Sequence, residues 1–182
     1  MVFNIYEYKN RGLFDGGARP NKFTVELTFP LILSNPLAGA DSSFLVQAAT
    51  LPPTIMGKID VPYMGRTIKV NGDREYPDWE ITIQNREDFA LRDAFEEWVQ
   101  NINSTVGNVM NPAFVDINGG YKVDFTATQW TKDAAIAKVY SFVGGFPTTV
   151  GPIQLMWDQN NQIETFSVNF AYDLWTSNTT DA

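Results

Sequence analysis

Carboxylate pairs are the groups in this sequence that come nearest to supporting catalysis. Asp88 and Asp93 lie close together in the chain, as do Asp158 and Glu164, and two flanking carboxylates are the catalytic groups of most glycosidases. However, Asp88 and Asp93 would be offset on a helix, and Glu164 falls on an expected strand. Because neither pair belongs to a recognisable apolar pocket motif, the sequence predicts that the protein is not an enzyme.

The 182-residue chain contains no histidine and no cysteine. Their absence excludes histidine-based triads, cysteine nucleophiles, zinc sites of the Cys/His type and disulfides. We therefore expect no cofactor. The formal net charge of −8 and the pI near 4.4 also argue against tight nucleic-acid binding, because affinity for phosphates comes largely from lysine and arginine.

Length and composition favour a single domain spanning residues 1–182. The chain is 44% hydrophobic, 14% aromatic and only 19% charged, which is typical of a folded globular protein. A chain of this size buries roughly 70% of its surface on folding. The amino terminus carries an early glutamate and no window is apolar enough to span a membrane. We therefore expect a soluble protein that is made in the cytosol.

Alternating apolar residues predict antiparallel β-strands along most of the chain. In residues 22–29, Phe23, Val25, Leu27 and Phe29 share one face. The same alternation occurs in residues 79–85 and 121–127 and again from Ile136. Residues 44–50 predict a further strand. Residues 153–157 and 164–175 flank a polar tract and predict a hairpin.

Residues 86–102 differ, because their apolar positions follow the 3.6-residue period of an amphipathic helix. Asn85 is expected to cap the first turn of this helix. The prediction is therefore a mainly β fold, a two-sheet antiparallel sandwich or barrel with one flanking helix at about 86–102. Residues 30–43 and 103–120 are expected to be surface connections.

Residues 51–78 predict a long extended loop. From Ala49 to Trp79 the chain carries four prolines and three glycines among apolar residues, and proline cannot donate to the hydrogen-bond ladder of a central strand. Asn71-Gly72 within this segment is a strong signal for a tight turn. An extended arm of this kind would expose apolar side chains to water unless a neighbouring subunit covered them. The sequence therefore predicts self-association.

Ten residues of this arm are the candidate subunit-interface residues. They are Ile55, Met56, Ile59, Val61, Tyr63, Met64, Arg66, Lys69, Asp73 and Arg74. The four charged residues are candidates for ion pairs between subunits; the alternative is that they are solvated charges, worth ~0–1 kcal/mol each. Three tryptophans are predicted to anchor the core, namely Trp79, Trp98 and Trp157.

Three blocks of the sequence resemble the tail tube proteins of contractile-tailed bacteriophages. They are ARPNKFTVEL at 18–27, ATLPPTIMGKIDVPYMGRTIKVNGDREYPDWEITIQN at 49–85 and VGPIQLMWDQNNQIETFSVNFAYDLW at 150–175. The resemblance implies a homo-oligomer of hexameric rings that stack into a hollow tail tube. It also implies that the segment matching 51–78 is a long loop or hairpin that reaches neighbouring subunits, so that VNGDREYPDW at 70–79 would turn the chain at the end of the arm.

The resemblance further implies a location in the virion and a set of partners. These are other copies of the chain, the tail sheath protein, and the baseplate and tail terminator proteins. DNA would pass through the lumen without specific binding, because an acidic wall repels it. Polar strand positions Lys122, Asp124, Thr126 and Thr128 are candidates to line this lumen, although a solvated outer face fits the same pattern.

Two alternative functions remain open from the sequence. The nearer one is the inner tube of a phage-like contractile injection system or type VI secretion system, which requires the same assembly and differs in its cargo. The more distant one is a monomeric β-sandwich module that binds a ligand through its aromatic residues. Most of the aromatics lie at core positions of their strands, which favours packing over ligand binding.

Overall fold

The computed structural model of the chain describes residues 4–33, 38–114 and 120–180. In these ranges the α-helices are Ile5–Glu7 (α1), Ala38–Leu45 (α2) and Ala90–Ile102 (α3), with a π-helical turn at Tyr8–Gly12 and a 3₁₀ turn at Pro112–Phe114. The strands are Phe23–Leu27 (β1), Val46–Ala49 (β2), Ile55–Tyr63 (β3), Arg66–Glu75 (β4), Trp79–Gln84 (β5), Val123–Trp130 (β6), Ile136–Val150 (β7), Thr165–Ala171 (β8) and Leu174–Ser177 (β9).

Seven of the described strands form one antiparallel sheet, in the order β1-β6-β7-β8-β5-β2 with β9 also paired to β7. Strand β7 belongs to two halves of this sheet. Its first part pairs with β6 and β9, and its last part, from Phe146 onward, pairs with β8. We call β1, β6, β9 and the first part of β7 the first half-sheet, and the remainder the second half-sheet. The predicted mainly β fold with two antiparallel layers is confirmed.

Two glycines mark the corner at which β7 passes from one half-sheet to the other. Gly144 has a φ of 68°, a left-handed conformation that glycine adopts without strain. A Cβ on Gly145 would overlap Cε2 of Phe125, a ring that is buried in the core. The pairing of β6 with β7 shifts register beside this point. The bend in β7 therefore depends on a close approach between backbone and ring.

We predict that Gly145→Ala destabilises the subunit by ~1–3 kcal/mol, because the added methyl group forces a buried ring to move. The matched control is Gly107→Ala, where the nearest atom is the rotatable Ser104 hydroxyl at 3.1 Å. We expect the control to change stability by less than ~0.5 kcal/mol. Urea unfolding of the unassembled subunits measures both values, and equal effects would contradict the corner described here.

The core is built around Trp79. Its ring stacks on Phe142 with a centroid distance of 4.3 Å and also contacts Phe170. The Trp79 Nε1–H donates to the carbonyl of Thr50 at 2.6 Å, so the polar atom of this buried ring has a partner. On helix α3, Trp98 is likewise buried, and its Nε1–H donates to the carbonyl of Tyr121 at 3.0 Å.

Trp157 does not lie in the core, so its prediction as a core anchor is wrong. Its side chain is 101% exposed, in a segment without strand structure between β7 and β8. The predicted hairpin of 153–157 with 164–175 is wrong for the same reason. Strand β8 already has β7 on one side and β5 on the other, which leaves no free edge for a strand at 153–157.

Helix α3 begins at Ala90 and not near residue 86. Phe89 has a left-handed φ of 51°, which interrupts the helix on its amino-terminal side. The Asp88 side chain accepts a hydrogen bond from the Ala90 N–H at 3.2 Å. Asn85 was predicted to cap the helix, but its side-chain amide instead donates to Glu164 at 3.1 Å.

The two predicted surface connections contain more structure than expected. Helix α2 occupies 38–45, so the strand predicted at 44–50 is limited to β2. Residues 34–37 and 115–119 of these connections lie outside the described residues. Leu33 and Phe114 are buried, and both belong to the hydrophobic core. In the part of the chain that the structure describes, no helix has the length and apolar character to cross a membrane.

Candidate subunit interface

Strands β3 and β4 form a two-stranded sheet of their own, and neither pairs with another described strand. The segment predicted as a long extended loop is therefore a β-hairpin. Pro62 lies within β3 opposite Thr67, although this proline had argued against a central strand. Each strand of a two-stranded ribbon has one open edge, and proline is tolerated at such an edge because no ladder hydrogen bond is lost.

The tip of the hairpin is Met64-Gly65 and not Asn71-Gly72. Both tip residues have positive φ, 42° and 80°, as a two-residue type I′ turn requires. Asn71 and Gly72 lie inside β4, where the register shifts at a bulge. Gly72 faces Gly57 there, and a Cβ on Gly72 would lie 3.1 Å from the carbonyl carbon of Gly57. The Asn71-Gly72 pair, which the sequence suggested as a turn, therefore lies where the backbones of β3 and β4 approach each other closely.

The core holds the base of the hairpin in place. On the entering side, Trp175 Nε1–H donates to the carbonyl of Pro53 at 3.4 Å, close to the bond between Trp79 and Thr50 described above. On the returning side, the Tyr76 ring packs against that of Tyr172 with a centroid distance of 6.0 Å. Burial raises the pKa of the Tyr172 hydroxyl above its ordinary value, so this hydroxyl stays neutral at physiological pH.

The cross-strand register divides the hairpin into two faces. Residues that lie directly opposite each other share a face, and successive residues alternate. One face, which we call the apolar face, carries the pairs Ile59 with Val70, Val61 with Ile68 and Tyr63 with Arg66. The opposite face, which we call the polar face, carries Lys58 with Asn71, Asp60 with Lys69 and Pro62 with Thr67.

The apolar face has no cover in the isolated subunit. Ile59, Val61, Ile68 and Val70 are between 43% and 56% exposed, which is high for branched aliphatic side chains at the centre of a strand. A two-stranded ribbon is marginally stable in water unless a third element packs on it. The hairpin therefore presents a continuous apolar surface that needs a partner.

Met64 at the tip supports the same conclusion by an independent route. A residue other than glycine, asparagine or aspartate is unusual at positive φ, and an apolar side chain that is 89% exposed contributes nothing to the core. Turn geometry and solubility would both favour a different residue at this position. A contact between the Met64 side chain and another subunit would explain why methionine occupies this position.

All ten sequence-predicted interface residues lie on the hairpin. The pleat places Ile55, Ile59, Val61, Tyr63 and Arg66 on the apolar face, Met56, Lys69 and Arg74 on the polar face, Met64 at the tip and Asp73 in the bulge. Within the described residues, none of the four charged members forms an ion pair inside the subunit. Ile68 and Val70 complete the apolar face, and only the register identifies them as partners of Val61 and Ile59.

The carboxylate pairs form no site of chemical interest. Asp88 is paired with Arg86 at 3.0 Å on the surface, and Glu164 accepts a hydrogen bond from Asn85. In the described ranges, no group of three acidic side chains is arranged to hold a metal ion. Among the described residues, the candidate functional site is therefore the exposed apolar face of the hairpin and not a cluster of reactive side chains.

Comparison with known sequences finds one family and several relatives. Residues 18–178 match the family model described as phage tail tube protein. The chain is 38% identical over 169 residues to the tail tube protein gp19 of Enterobacteria phage T4, with 89% of this chain and 94% of that protein covered. It is 23% identical over 169 residues to the tail tube protein of Serratia phage KSP90, with 92% and 93% covered.

Comparison with solved structures identifies the same fold at much lower identity. A chain from the six-fold symmetrised cryo-EM structure of the anti-feeding prophage baseplate has a TM-score of 0.64 and 9% identity, with 88% of this chain and 95% of that chain covered. A chain from the extended sheath–tube complex of the PVC extracellular contractile injection system has a TM-score of 0.54 and 12% identity, with 97% and 98% covered. At these identities the likeness shows the fold alone.

Proposed function

The chain belongs to the phage tail tube protein family, and we propose that its copies form hexameric rings that stack, with the hairpin as a contact between copies, into the inner tube of a contractile tail. As a tail tube protein it is a structural component of the virion and not an enzyme. The observation that carries the proposal is the apolar face of the hairpin, which the subunit itself leaves uncovered.

The assembly must be held by non-covalent contacts. The chain has no cysteine from which to form a disulfide, so stability has to come from buried apolar area at about 25 cal/mol per Å². Permanent assemblies typically bury roughly 2,000 Å² or more per interface. A hairpin that packs across a neighbouring subunit could bury an area of this size, because both of its faces and its tip extend beyond the core.

Open sheet edges offer a second type of contact. Strands β1 and β2 stand at the two ends of the strand order, each with one paired neighbour among the described strands. Unpaired edges invite association because their backbone groups lack partners. In a closed ring of identical subunits, one edge of each copy meets a different edge of the next. Ring closure would thus satisfy the backbone groups that the isolated subunit exposes.

The proposed partners are further copies of the chain, the sheath protein around the tube, and the baseplate and terminator proteins at its ends. Chains with this fold occur in structures described as a baseplate, a tube-terminating cap and a sheath–tube complex. A tube for an injection or secretion system would have the same architecture. We favour the phage tail because the sequence relatives at 38% identity, matched over 89% of this chain, are phage tail tube proteins.

We place the solvent face of the first half-sheet in the lumen. Glu26, Thr126 and Ser141 lie side by side on adjacent strands there. Lys122 is bound by both carboxylate oxygens of Asp173, at 2.7 and 2.8 Å, and this hydrogen bond raises the pKa of the lysine. The charge of Lys122 is therefore balanced by Asp173, whereas Lys22, which precedes β1 on the same side, donates to the carbonyl of Lys132 at 3.0 Å. Hydroxyls and carboxylates then predominate on this face, so DNA would pass it without being captured.

We predict that Thr126→Lys slows genome release, because six added lysines per ring would line the bore and bind phosphates. The control is Thr126→Asp, which changes the charge in the opposite direction and should leave release unaffected. Phage particles carrying each variant would be assayed for plaque titre and for the fraction of contracted particles that still contain DNA. If Thr126→Lys particles match wild type in plaque titre and in retained DNA, the solvent face of the first half-sheet does not line the lumen.

We predict that Arg66→Glu lowers tube yield, because a cation beside Tyr63 on the apolar face is placed to meet an acidic group of the next subunit. The control is Arg19→Glu, an equal change of charge at an exposed position that is not part of the hairpin. Sedimentation of purified protein measures the yield of particles. Equal yields for wild type and both variants would mean that Arg66 is a solvated charge.

The general proposal is tested by negative-stain microscopy of the purified protein and of intact phage tails. We expect annular particles and stacks of them, which the isolated protein would form in a concentration-dependent way. Light scattering on the same samples separates these assemblies from a monomeric binding module. Solitary subunits at every concentration, together with tails that lack this protein, would overturn the proposal.

A further inference from the structure

The loop between β7 and β8 carries a second uncovered apolar surface. We call residues 152–163 the Trp157 loop. Leu155, Met156, Trp157 and Ile163 are all exposed, from 50% for Met156 to 101% for Trp157. Gly151, which precedes the loop, is fixed by its N–H bond to Ser167 at 2.7 Å and by the bond that its carbonyl accepts from Arg92 at 2.8 Å. The loop therefore projects from an anchored base.

The Trp157 loop and the hairpin leave the subunit at opposite ends of strand β5. The hairpin returns to the core at Trp79, the first residue of β5. The Trp157 loop returns beside its last residue, because Gln84 is paired with Thr165 and the Asn85 N–H donates to the carbonyl of Glu164 at 2.8 Å. A strand of this length separates the two points by roughly 20 Å, at about 3.3 Å per residue.

The two surfaces are also complementary in charge. The hairpin, residues 55–75, carries four basic residues (Lys58, Arg66, Lys69, Arg74) and three acidic ones (Asp60, Asp73, Glu75), a net charge of +1 in a chain whose total is −8. The Trp157 loop contains one acidic residue, Asp158, and no basic residue, and Glu164 follows it directly. Net charge would attract a slightly cationic ribbon to an acidic loop, whereas it would weakly oppose the pairing of two copies of either surface.

We propose that the Trp157 loop is the docking site for the hairpin of a second copy, with Trp157 packed against the apolar face of that hairpin. Each subunit then has two different matching surfaces at opposite ends, which is the condition for a head-to-tail contact that repeats along an axis. This contact would join one ring to the next. The inference rests on the proposed function, since it requires that copies stack.

Trp157 is the expected energetic centre of this contact, because large aromatic side chains dominate most protein interfaces. We therefore expect Trp157→Ala to raise the concentration needed for stacking by at least ~10-fold, the equivalent of a hot-spot residue. Val106→Ala is the control, since Val106 is equally exposed in the loop that follows α3. Rings without stacks for Trp157→Ala would support the inference, and tubes at wild-type concentration would overturn it.

Cross-linking tests the contact directly, because the chain has no cysteine and every introduced thiol is unique. Thr67→Cys labels the polar face near the hairpin tip, and Gln159→Cys labels the Trp157 loop; both leave the apolar side chains in place. The two variants are mixed, assembled and treated with a short bis-maleimide. We expect covalent dimers in this mixture and few in the control mixture of Thr67→Cys with Val106→Cys.

The outcomes separate this inference from the proposed function. Tubes in the micrographs without cross-links between Thr67→Cys and Gln159→Cys, or with as many cross-links in the control mixture, would overturn the docking site and leave the tube standing. Dimers formed by Gln159→Cys alone would show a symmetric loop contact and would also overturn it. If wild-type protein forms no rings or tubes at all, the proposed function fails and this inference fails with it.

Discussion

Replacing Val61 and Ile68 together by aspartate is expected to abolish tube formation while the isolated subunit stays folded. The two residues lie opposite each other on the apolar face of the hairpin and are already partly exposed in the subunit, so the change costs the monomer little. In the assembly the same positions would be covered, and each carboxylate buried without a partner costs several kcal/mol. The cost recurs in every subunit of every ring, so association is lost and not merely weakened.

Sedimentation and negative-stain microscopy would measure this loss, with circular dichroism to establish that the variant subunit is folded. The matched control is Val106→Asp together with Val109→Asp, two substitutions of exposed apolar residues in the loop that follows α3. This control adds the same two carboxylates outside the hairpin, and we expect it to retain assembly. Tubes of normal yield from the Val61 and Ile68 variant would exclude the apolar face as an interface.

Trp79→Ala is expected to reduce the free energy of unfolding by ~3–5 kcal/mol, the usual cost of deleting a large buried aromatic. The substitution removes the ring that stacks on Phe142 and leaves the carbonyl of Thr50 without its donor. Trp157→Ala is the matched control on the same residue type and should change stability by less than ~0.5 kcal/mol, because that side chain is fully exposed.

Chemical denaturation of unassembled subunits would measure both tryptophan variants. The difference in their free energies of unfolding distinguishes Trp79, which stabilises the folded subunit, from Trp157, which is available for contacts with other subunits. Similar losses of stability for the two variants would contradict the burial described here. A stable Trp157→Ala subunit that also fails to stack would connect this prediction to the proposed docking site.

The strands that alternation predicted correctly are those that have one face in the core. Strands β1, β5, β6 and β8 each bury alternate residues along part or all of their length, and a one-residue slip would expose the whole set. Their pattern is therefore strongly constrained in the sequence. The amphipathic period of helix α3 was predictable for the same reason, whereas its first residue depended on the local conformation of Phe89.

The hairpin and the Trp157 loop could not be assigned in the same way, because the subunit does not bury them. Alternation in residues 153–157 resembles that of a core strand, yet the neighbours of β8 leave no edge for it. Asn71-Gly72 has the composition of a turn but lies at a bulge in β4. The turn is formed by Met64-Gly65, although methionine is unusual at positive φ. The family resemblance, now confirmed, indicated that residues 51–78 reach neighbours, but the division into two faces needed the register.

A cryo-EM reconstruction of the assembled tail tube tests the central claim most directly, because it shows what covers the hairpin. We predict that Ile59, Val61, Ile68 and Val70 are buried against neighbouring copies and that the hairpin keeps its two-residue tip at Met64-Gly65. A tube in which these four side chains face solvent, with the subunits joined entirely through other surfaces, would contradict the account.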